Sequence, residues 1–486
     1  MYLRVTAFHR SSIPTPSTHL PVLFGTYSRR NPTASFLGLL LNVLAFLACI
    51  DFVYRSHVLH RSESLVFSRT GYVDSTSARI VLRDPSAQRL QLTYADATGS
   101  ETTTLKIPAL TETSDYTATL QLTGLRPGTR YFYNTTGAQA GSFLTSAPGA
   151  KKFSLISTSC QKPFYPYDPL SHSLGIQGLH HPARYAEEAP PDFVLFLGDF
   201  IYSDLPVQVA PLTTQFYRQL YRQVYASPSW TRTLRDIPWI HVFDDHELVN
   251  DYFPGMAGGK AMYARAMDPF EHYQRAANPP RPDNDARKTY TQFRRGDASF
   301  FVLDTRTYRA PPPAKADGGT GTRTMLGAEQ LDELLRWIVA EEGWKVVVSG
   351  VPMTRNWSKG ADAMDSWAGY LNEREIIFRA LWRAGGGVII SGDRHEHATV
   401  KFRPPPGYPD SHTIIEFSTS PLSFFYLPFL REYVPHEETV FNLPHGASKF
   451  GHLTFDSSDE ARWTIGFELV VDGEKAWNYE HVWERV

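Results

Sequence analysis

Side chains that bind metal ions follow several apolar, strand-like segments of this sequence, at the point where each segment ends. Cys160 follows "FSLIST", Asp199 and Tyr202 follow "DFVLFL", Asp245 and His246 follow "PWIHVF", and Asp393 and His395 follow "GVIIS". Together they offer thiol, phenol, carboxylate and imidazole groups, the donor set of a site for more than one metal ion. Each of these residues, taken singly, also has an explanation without a metal ion, because aspartates after strands often cap helices and a lone cysteine is often a core residue.

The elements around these segments predict how their polar ends are positioned. From residue 153 onward, apolar strands alternate with candidate helices such as "TTQFYRQLYRQVYA" and "GAEQLDELLRWIVAEE", a pattern that predicts an α/β domain. In open α/β sheets, ligands bind beyond the carboxyl ends of the strands. We therefore expect the polar ends to meet at one edge of a sheet. The loops 162–190, 254–290 and 403–445 are expected to form the walls of a substrate pocket.

The chain before this domain has three different patterns. Residues 1–33 lack periodicity and predict a disordered tail. Residues 34–54 are apolar enough for a single-pass membrane anchor, although Asn42 and Asp51 interrupt them; a cleaved signal peptide is the alternative. Residues 65–148 alternate as short strands and predict a small antiparallel β-sandwich, in which "LRPGTRYFY" resembles a fibronectin type III-like module.

Composition limits the classes of function. The formal net charge is −2, and no basic stripe indicates a nucleic-acid-binding surface. The cysteines are Cys49, inside the apolar run, and Cys160, so a disulfide framework is excluded. The triplets that begin at Asn134 and Asn356 are glycosylation sequons and agree with a lumenal or extracellular catalytic body. We expect a monomer held at the membrane by one N-terminal helix.

Three blocks of the sequence resemble the calcineurin-like metallophosphatase superfamily, namely "LGDFIY", "FDDHE" and "SGDRHEH". They depart from the usual blocks of that superfamily in the way that the PhoD-like (alkaline phosphatase D) family does, with "TSCQ" in place of the first ligand pair. "DTRTYR", "DSWAGYLNER" and "EFSTSPLS" also resemble that family. The resemblance implies a metallophosphatase-type β-sandwich flanked by helices over residues 153–486, preceded by a small all-β sandwich and a transmembrane helix.

The resemblance also implies cofactors and roles. Fe³⁺ and Ca²⁺ would share a dinuclear or trinuclear site, with Asp199 as the bridging carboxylate and with Cys160 and Tyr202 on the iron. The implied ligands are Cys160, Asp199, Tyr202, Asp245, Asn250, Asp393 and His395. Asp244 and Glu247 would orient neighbouring groups.

The expected reaction is hydrolysis of phosphomonoesters, phosphodiesters or both. Water bound to the metal ions would lose its proton near neutral pH and attack phosphorus. His246 would assist the leaving oxygen, and Arg394 would clamp a phosphate oxygen. Arg306 has two interpretations, as a second phosphate-binding cation or as part of an internal ion pair. Two alternatives stay open: a purple-acid-type phosphatase, and an adhesion or interaction protein on the same fold.

Overall fold

The computed structural model describes residues 32–86, 89–99, 102–137, 139–313, 323–360, 363–426 and 431–484. The prediction of a disordered tail over residues 1–33 therefore falls almost wholly outside the described residues. The chain divides into two compact units, of which one ends at Leu59 and the other begins at His60.

Helix α1 (Pro32–Leu59) is, among the described residues, the one helix long and apolar enough to cross a membrane. Its 28 residues span about 42 Å at about 1.5 Å per residue. The polar residues that interrupt the run have partners inside the helix: Asn42 donates to the Gly38 carbonyl at 2.8 Å, and Asp51 pairs with Arg55 at 2.6 Å. A signal sequence near an N-terminus meets the same criteria of length and composition.

Residues 67–144 form two antiparallel sheets that share one core. The strands are β1 (Phe67–Val73), β2 (Ser77–Arg83), β3 (Leu90–Asp96), β4 (Thr102–Ile107), β5 (Thr117–Thr123), β6 (Arg130–Thr135) and β7 (Ala140–Leu144). They pair in the orders β1-β2-β5 and β4-β3-β6-β7, with Ile80, Leu92 and Phe143 in the shared core. The predicted small β-sandwich is confirmed. Its assignment as a separate fibronectin-like domain stays a prediction, since the compact unit that contains it continues to the C-terminal region.

Two mixed sheets form the larger part of this unit in the described residues. The first has the order β10-β9-β8-β20-β21-β22 and the second the order β11-β12-β13-β15-β17-β16-β19, while β14 pairs with β18. The strands are β8 (Lys152–Thr158), β9 (Phe193–Phe196), β10 (Trp239–His241), β11 (Thr291–Arg295), β12 (Ala298–Val302), β13 (Trp344–Val348), β14 (Lys359–Gly360), β15 (Gly387–Ser391), β16 (His397–Phe402), β17 (Ile414–Thr419), β18 (Arg431–Glu432), β19 (Glu438–Leu443), β20 (Lys449–Asp456), β21 (Arg462–Val471) and β22 (Glu474–Glu484).

The alternation of side chains along each strand explains the layers. Leu155 and Leu195 point into the core between the sheets, where they meet Val346 of the other sheet, whereas Ile156 and Val194 point outward to a helical layer. The helices are α2 (His180–Glu188), α3 (Thr214–Tyr225), α4 (Arg232–Asp236), α5 (Gly259–Tyr273), α6 (Gly327–Ala340) and α7 (Leu371–Arg383). Helices α6 and α7 cover the outer face of the second sheet. The architecture is the predicted β-sandwich flanked by helices.

The sequon at Asn356 lies in the interior. Asn356 is 0% exposed, and its amide nitrogen donates to the Tyr433 hydroxyl at 2.9 Å while its oxygen accepts from the backbone of His436 at 2.8 Å. A glycan cannot be attached there in the folded protein, so this sequon does not support the expected lumenal or extracellular location. Asn134, in contrast, is exposed on β6.

Candidate metal centre

The candidate ligands lie in tight turns directly after the strands. Cys160 has φ 62° after β8, Asp199 has φ 56° after β9, and Asp393 and His395 have φ 73° and 58° after β15. A side chain with a Cβ rarely adopts this left-handed backbone, which stores about 1 to 3 kcal/mol of strain per residue and is concentrated at functional sites. Four such residues at neighbouring strand ends indicate that function fixes their side-chain directions.

Three hydrogen bonds join the first group of ligands around Asp199. The Cys160 thiol donates to Asp199 Oδ2 at 3.4 Å, and the Tyr202 hydroxyl donates to the same oxygen at 3.1 Å. The Tyr202 hydroxyl also lies 3.3 Å from His395 Nε2. All of these side chains are buried, and the ligand atoms of Cys160, Asp199 and His395 lie within 4.8 Å of one another. The first mixed sheet, through the ends of β8 and β9, and the second mixed sheet, through the end of β15, therefore both contribute side chains to the same centre.

Without a cation this point is electrostatically unfavourable for anions. Burial raises the pKa of the Cys160 thiol, and the charge of Asp199 raises it further. The pKa of the Tyr202 phenol is raised by the same two causes, and burial raises the pKa of Asp199 itself. A bound cation would favour the ionised form of all three groups. This donor set, with two ionisable protons beside a shared carboxylate, fits the trivalent ion that the resemblance implies.

A second group of carboxylates continues from Asp199. Asp199, Asp245 and His246 form one candidate group, and Asp244, Asp245 and Asp393 form another, each with ligand atoms within 4.8 Å. Asp244 Oδ2 is buried and has no hydrogen-bond partner among the described residues. Hard carboxylate oxygens of this kind suit Ca²⁺. The sequence assigned Asp244 to orienting its neighbours, whereas the structure places its carboxylate among the candidate ligands.

His246 is held by Asp204, a carboxylate that has no role in the sequence prediction. Its Nδ1 lies 2.7 Å from Asp204 Oδ1, and Asp204 Oδ2 accepts from the backbone nitrogen of Asn250 at 2.8 Å. Burial lowers the pKa of His246, but Asp245, Asp199 and Asp204 together raise it well above its usual value. Asn250 is exposed, and the bond that places it at the site is made by its backbone; its proposed side-chain role as a ligand stays a prediction.

The two arginines differ in their surroundings. Arg306 is 0% exposed and pairs with Asp244, with Asp245 at 3.5 Å and with Asp365 at 2.7 Å. The internal ion pair is therefore the interpretation that the structure favours for Arg306. Arg394 is also buried, and its guanidinium lies 3.2 Å from Asp393 Oδ2. It stands beside a candidate metal ligand, and its role as a phosphate clamp stays a prediction.

Glu247 fixes the turns that carry these ligands. Its carboxylate accepts hydrogen bonds from the backbone nitrogens of Asp199 at 3.0 Å, Phe200 at 2.6 Å and Asp244 at 2.7 Å. One side chain thus ties the turn after β9 to the turn after β10. The backbone of the other sheet is tied in as well, because Ser159 Oγ accepts from the backbone nitrogen of Asp393 at 3.1 Å. Glu247 has the orienting position that the sequence suggested.

Comparison with known proteins agrees with this geometry. The PhoD-like phosphatase family matches residues 155–460. Alkaline phosphatase D of Bacillus subtilis (strain 168) is 27% identical over 318 residues, which cover 56% of this chain and 52% of that protein, so the chain spans about half the length of this curated relative. A solved structure of PhoD superposes with a TM-score of 0.67 at 20% identity and covers 86% of this chain and 90% of its own.

A purple acid phosphatase from yellow lupin (Lupinus luteus) seeds shares the fold, with a TM-score of 0.58 at 13% identity over 85% of this chain and 73% of its own. The two structural neighbours establish the fold, and the match to residues 155–460 establishes the family. The chain belongs to the PhoD-like phosphatase family.

Proposed function

We propose that this protein is a metal-dependent phosphoesterase that hydrolyses phosphomonoesters, phosphodiesters or both, with Fe³⁺ and Ca²⁺ in the centre described above. The observation that carries the proposal is the buried convergence of Cys160, Asp199, Tyr202 and His395 from different strand ends, next to the carboxylates of Asp245 and Asp393. Cys160, Tyr202 and Asp199 would hold the iron, and Asp199 would be shared with the calcium side.

When bound, the metal ions would neutralise phosphate charge and lower the pKa of water. Side chains of the protein itself supply proton donation and phosphate binding. The bond between His246 Nδ1 and Asp204 fixes the ring and leaves Nε2 as the nitrogen that donates a proton to the leaving oxygen. Arg394 stands beside Asp393 to neutralise a phosphate oxygen. We assign Arg306 to holding Asp244 and Asp245 in place rather than to binding substrate.

The test combines metal analysis of the purified full chain with hydrolysis of p-nitrophenyl phosphate and of bis(p-nitrophenyl) phosphate. We expect bound iron, a tyrosinate-to-iron absorption band and release of p-nitrophenolate from at least one ester. Asp199→Asn should lose both the iron and the activity, whereas Asp332→Asn, at a side chain that is 70% exposed, should keep both. An active preparation without iron, or an iron-containing one that hydrolyses neither ester, would contradict the proposal.

We also propose that α1 is retained as a single-pass anchor, with the catalytic body on the lumenal or extracellular side. This proposal is supported by the length of α1 and by the exposed sequon at Asn134. The full chain should stay with membranes after carbonate extraction, and endoglycosidase should remove one glycan. Asn134→Gln should abolish that mass shift and Asn356→Gln should leave it unchanged. A protein that is released by carbonate or that lacks a glycan would argue against this topology.

A further inference from the structure

A set of apolar side chains lies directly against the candidate metal centre. We name this set, Tyr165, Leu205, Phe424 and Phe425, the collar. Together with Cys160 and Tyr202 it forms a hydrophobic cluster separate from the main cores. The Phe424 ring lies 4.5 Å from the Tyr202 ring and 5.3 Å from the His395 ring, and the Phe425 ring lies 5.5 Å from the His395 ring.

The collar is only partly buried, in contrast to the buried side chains of the main hydrophobic cores. Phe424 is 2% exposed, but Tyr165, Leu205 and Phe425 are half-buried, and the neighbouring Tyr426 is 39% exposed. Tyr165 makes T-shaped contacts with both phenylalanines, at 5.2 and 5.9 Å between ring centroids. Aromatic surface that stays accessible beside a cluster of ionisable groups is a common feature of sites for ligands with an apolar part.

The collar is also held in place before any ligand arrives. The segments that carry Tyr165 and the two phenylalanines are joined by a bridge between Gln161 and Ser423, and the backbone nitrogen of Lys162 donates to the Ser423 carbonyl at 2.9 Å. Ser423 Oγ accepts in turn from the backbone nitrogen of Gly178 at 3.1 Å. A surface that is already ordered loses little conformational entropy when it binds a ring or an alkyl chain.

We propose that the collar binds an apolar or aromatic ester group that is retained on phosphorus, so that phosphodiesters with such a group are the favoured substrates. This inference rests on the proposed phosphoesterase function. The retained group is the better occupant because Phe424 and Phe425 both lie against the His395 ring, at 5.3 and 5.5 Å. The His246 ring, which serves the leaving oxygen, lies 4.3 Å from the Tyr202 ring, with its Nδ1 toward Asp204. The organic part of the substrate would then cover the exposed rings while phosphorus lies at the metal centre.

The test keeps the leaving group constant and varies the retained group. With the full metal-loaded chain, kcat/KM should be about tenfold higher for benzyl p-nitrophenyl phosphate than for methyl p-nitrophenyl phosphate, as expected for burial of part of one ring. Phe425→Ala and Tyr165→Ala should each reduce this ratio to about two or less, because part of the same apolar surface is removed. Phe132→Ala removes a phenylalanine that is 48% exposed on β6, and it should leave the ratio and the rates unchanged.

A binding measurement separates failure of the collar from failure of the proposed activity. Benzylphosphonate should bind the metal-loaded protein about tenfold more tightly than methylphosphonate by calorimetry, and Phe425→Ala should remove the difference. A ratio near one in the parent protein, or an unchanged ratio in both collar variants, would overturn the inference even if hydrolysis is observed. Absence of hydrolysis with an intact phosphonate preference would instead overturn the proposed activity and leave the collar as a binding site.

Discussion

Asp204→Asn is the sharpest test of how His246 is used. Asp204 accepts two hydrogen bonds on two different oxygens, from His246 Nδ1 at 2.7 Å and from the backbone nitrogen of Asn250 at 2.8 Å. An asparagine has one acceptor oxygen, so one of the two donors must lose its partner. If the imidazole loses it, the ring is no longer fixed and its protonated form is no longer stabilised by the neighbouring charge.

The expected magnitude follows from that single bond. A hydrogen bond to a charged group contributes about 1.5 to 3 kcal/mol, which corresponds to a loss of about 10- to 150-fold in rate where proton donation limits the reaction. Proton donation limits the reaction for an alkoxide leaving group. It matters little for p-nitrophenolate, which is a weak base, so the loss for that leaving group should stay within about threefold.

The assay is release of inorganic phosphate from 2-phenylethyl phosphate and from p-nitrophenyl phosphate, with iron content measured on the same samples. Asp204→Asn should keep its iron, and Asp332→Asn should match the parent protein on both substrates. The double variant Asp204→Asn/His246→Ala should be no slower than His246→Ala, because the two residues act as one unit. Equal losses on both substrates, or additive losses in the double variant, would refute the assignment of Asp204 as a positioning residue for a proton donor.

Three further predictions concern the surroundings of the centre. Arg306→Met removes the buried guanidinium that pairs with Asp244 and Asp245 and leaves Asp365 with Arg309 alone. It should destabilise the fold by about 3 to 5 kcal/mol, measured by chemical denaturation, whereas Arg336→Met at a side chain that is 68% exposed should have little effect. Gly198→Ala should lower stability and metal content, since Gly198 has φ 106° and a Cβ there would overlap the Asp244 Cβ; Gly99→Ala, with φ 64° and open space around it, isolates the backbone strain alone. Removal of metal by a chelator should lower Tm, because buried carboxylates would lose the cations that offset their repulsion; a Tm that is unchanged after complete removal would contradict this.

The regular elements of the α/β region could be predicted from the sequence because their patterns are local. The apolar run "DFVLFLGD" contains β9 (Phe193–Phe196), and the amphipathic run over 327–342 contains α6 (Gly327–Ala340). The sequence predicts loops over 162–190 and 254–290, whereas the structure has helix α2 (His180–Glu188) in the first range and helix α5 (Gly259–Tyr273) in the second, so both predictions are wrong there. A glycine at the start of α5 and Pro269 inside it are signals that usually end helices. Tertiary packing overrides them here, since Ala266, Phe270 and Tyr273 are buried in a core.

The sequence predicts that the ligands meet at the edge of one sheet, whereas two sheets contribute them. Strand periodicity indicates which face of a strand is buried but not which strands are neighbours. Strand β20 lies beside β8 although nearly 300 residues separate them, and the second sheet delivers Asp393 from β15. Two sheets therefore share the centre where the sequence suggested one.

The site residues show the same division between local and long-range information. The ligand-type side chains at strand ends were visible in the sequence because the strands are. The partnership of Asp204 with His246 and the pairing of Arg306 with Asp365 depend on contacts between distant segments, 42 and 59 residues apart in the chain. No spacing rule connects such residues, so their roles emerged only from the fold.

The left-handed turns at Cys160, Asp199, Asp393 and His395 have an evolutionary consequence. Glycine would adopt these conformations without strain, so each of the four positions is occupied by a residue that is worse for folding than the simplest alternative. Selection for chemistry must continually oppose that preference. In descendants that no longer need catalysis, these positions should drift toward glycine or asparagine sooner than the surrounding core changes, and such replacements would mark the loss of activity in relatives of this protein.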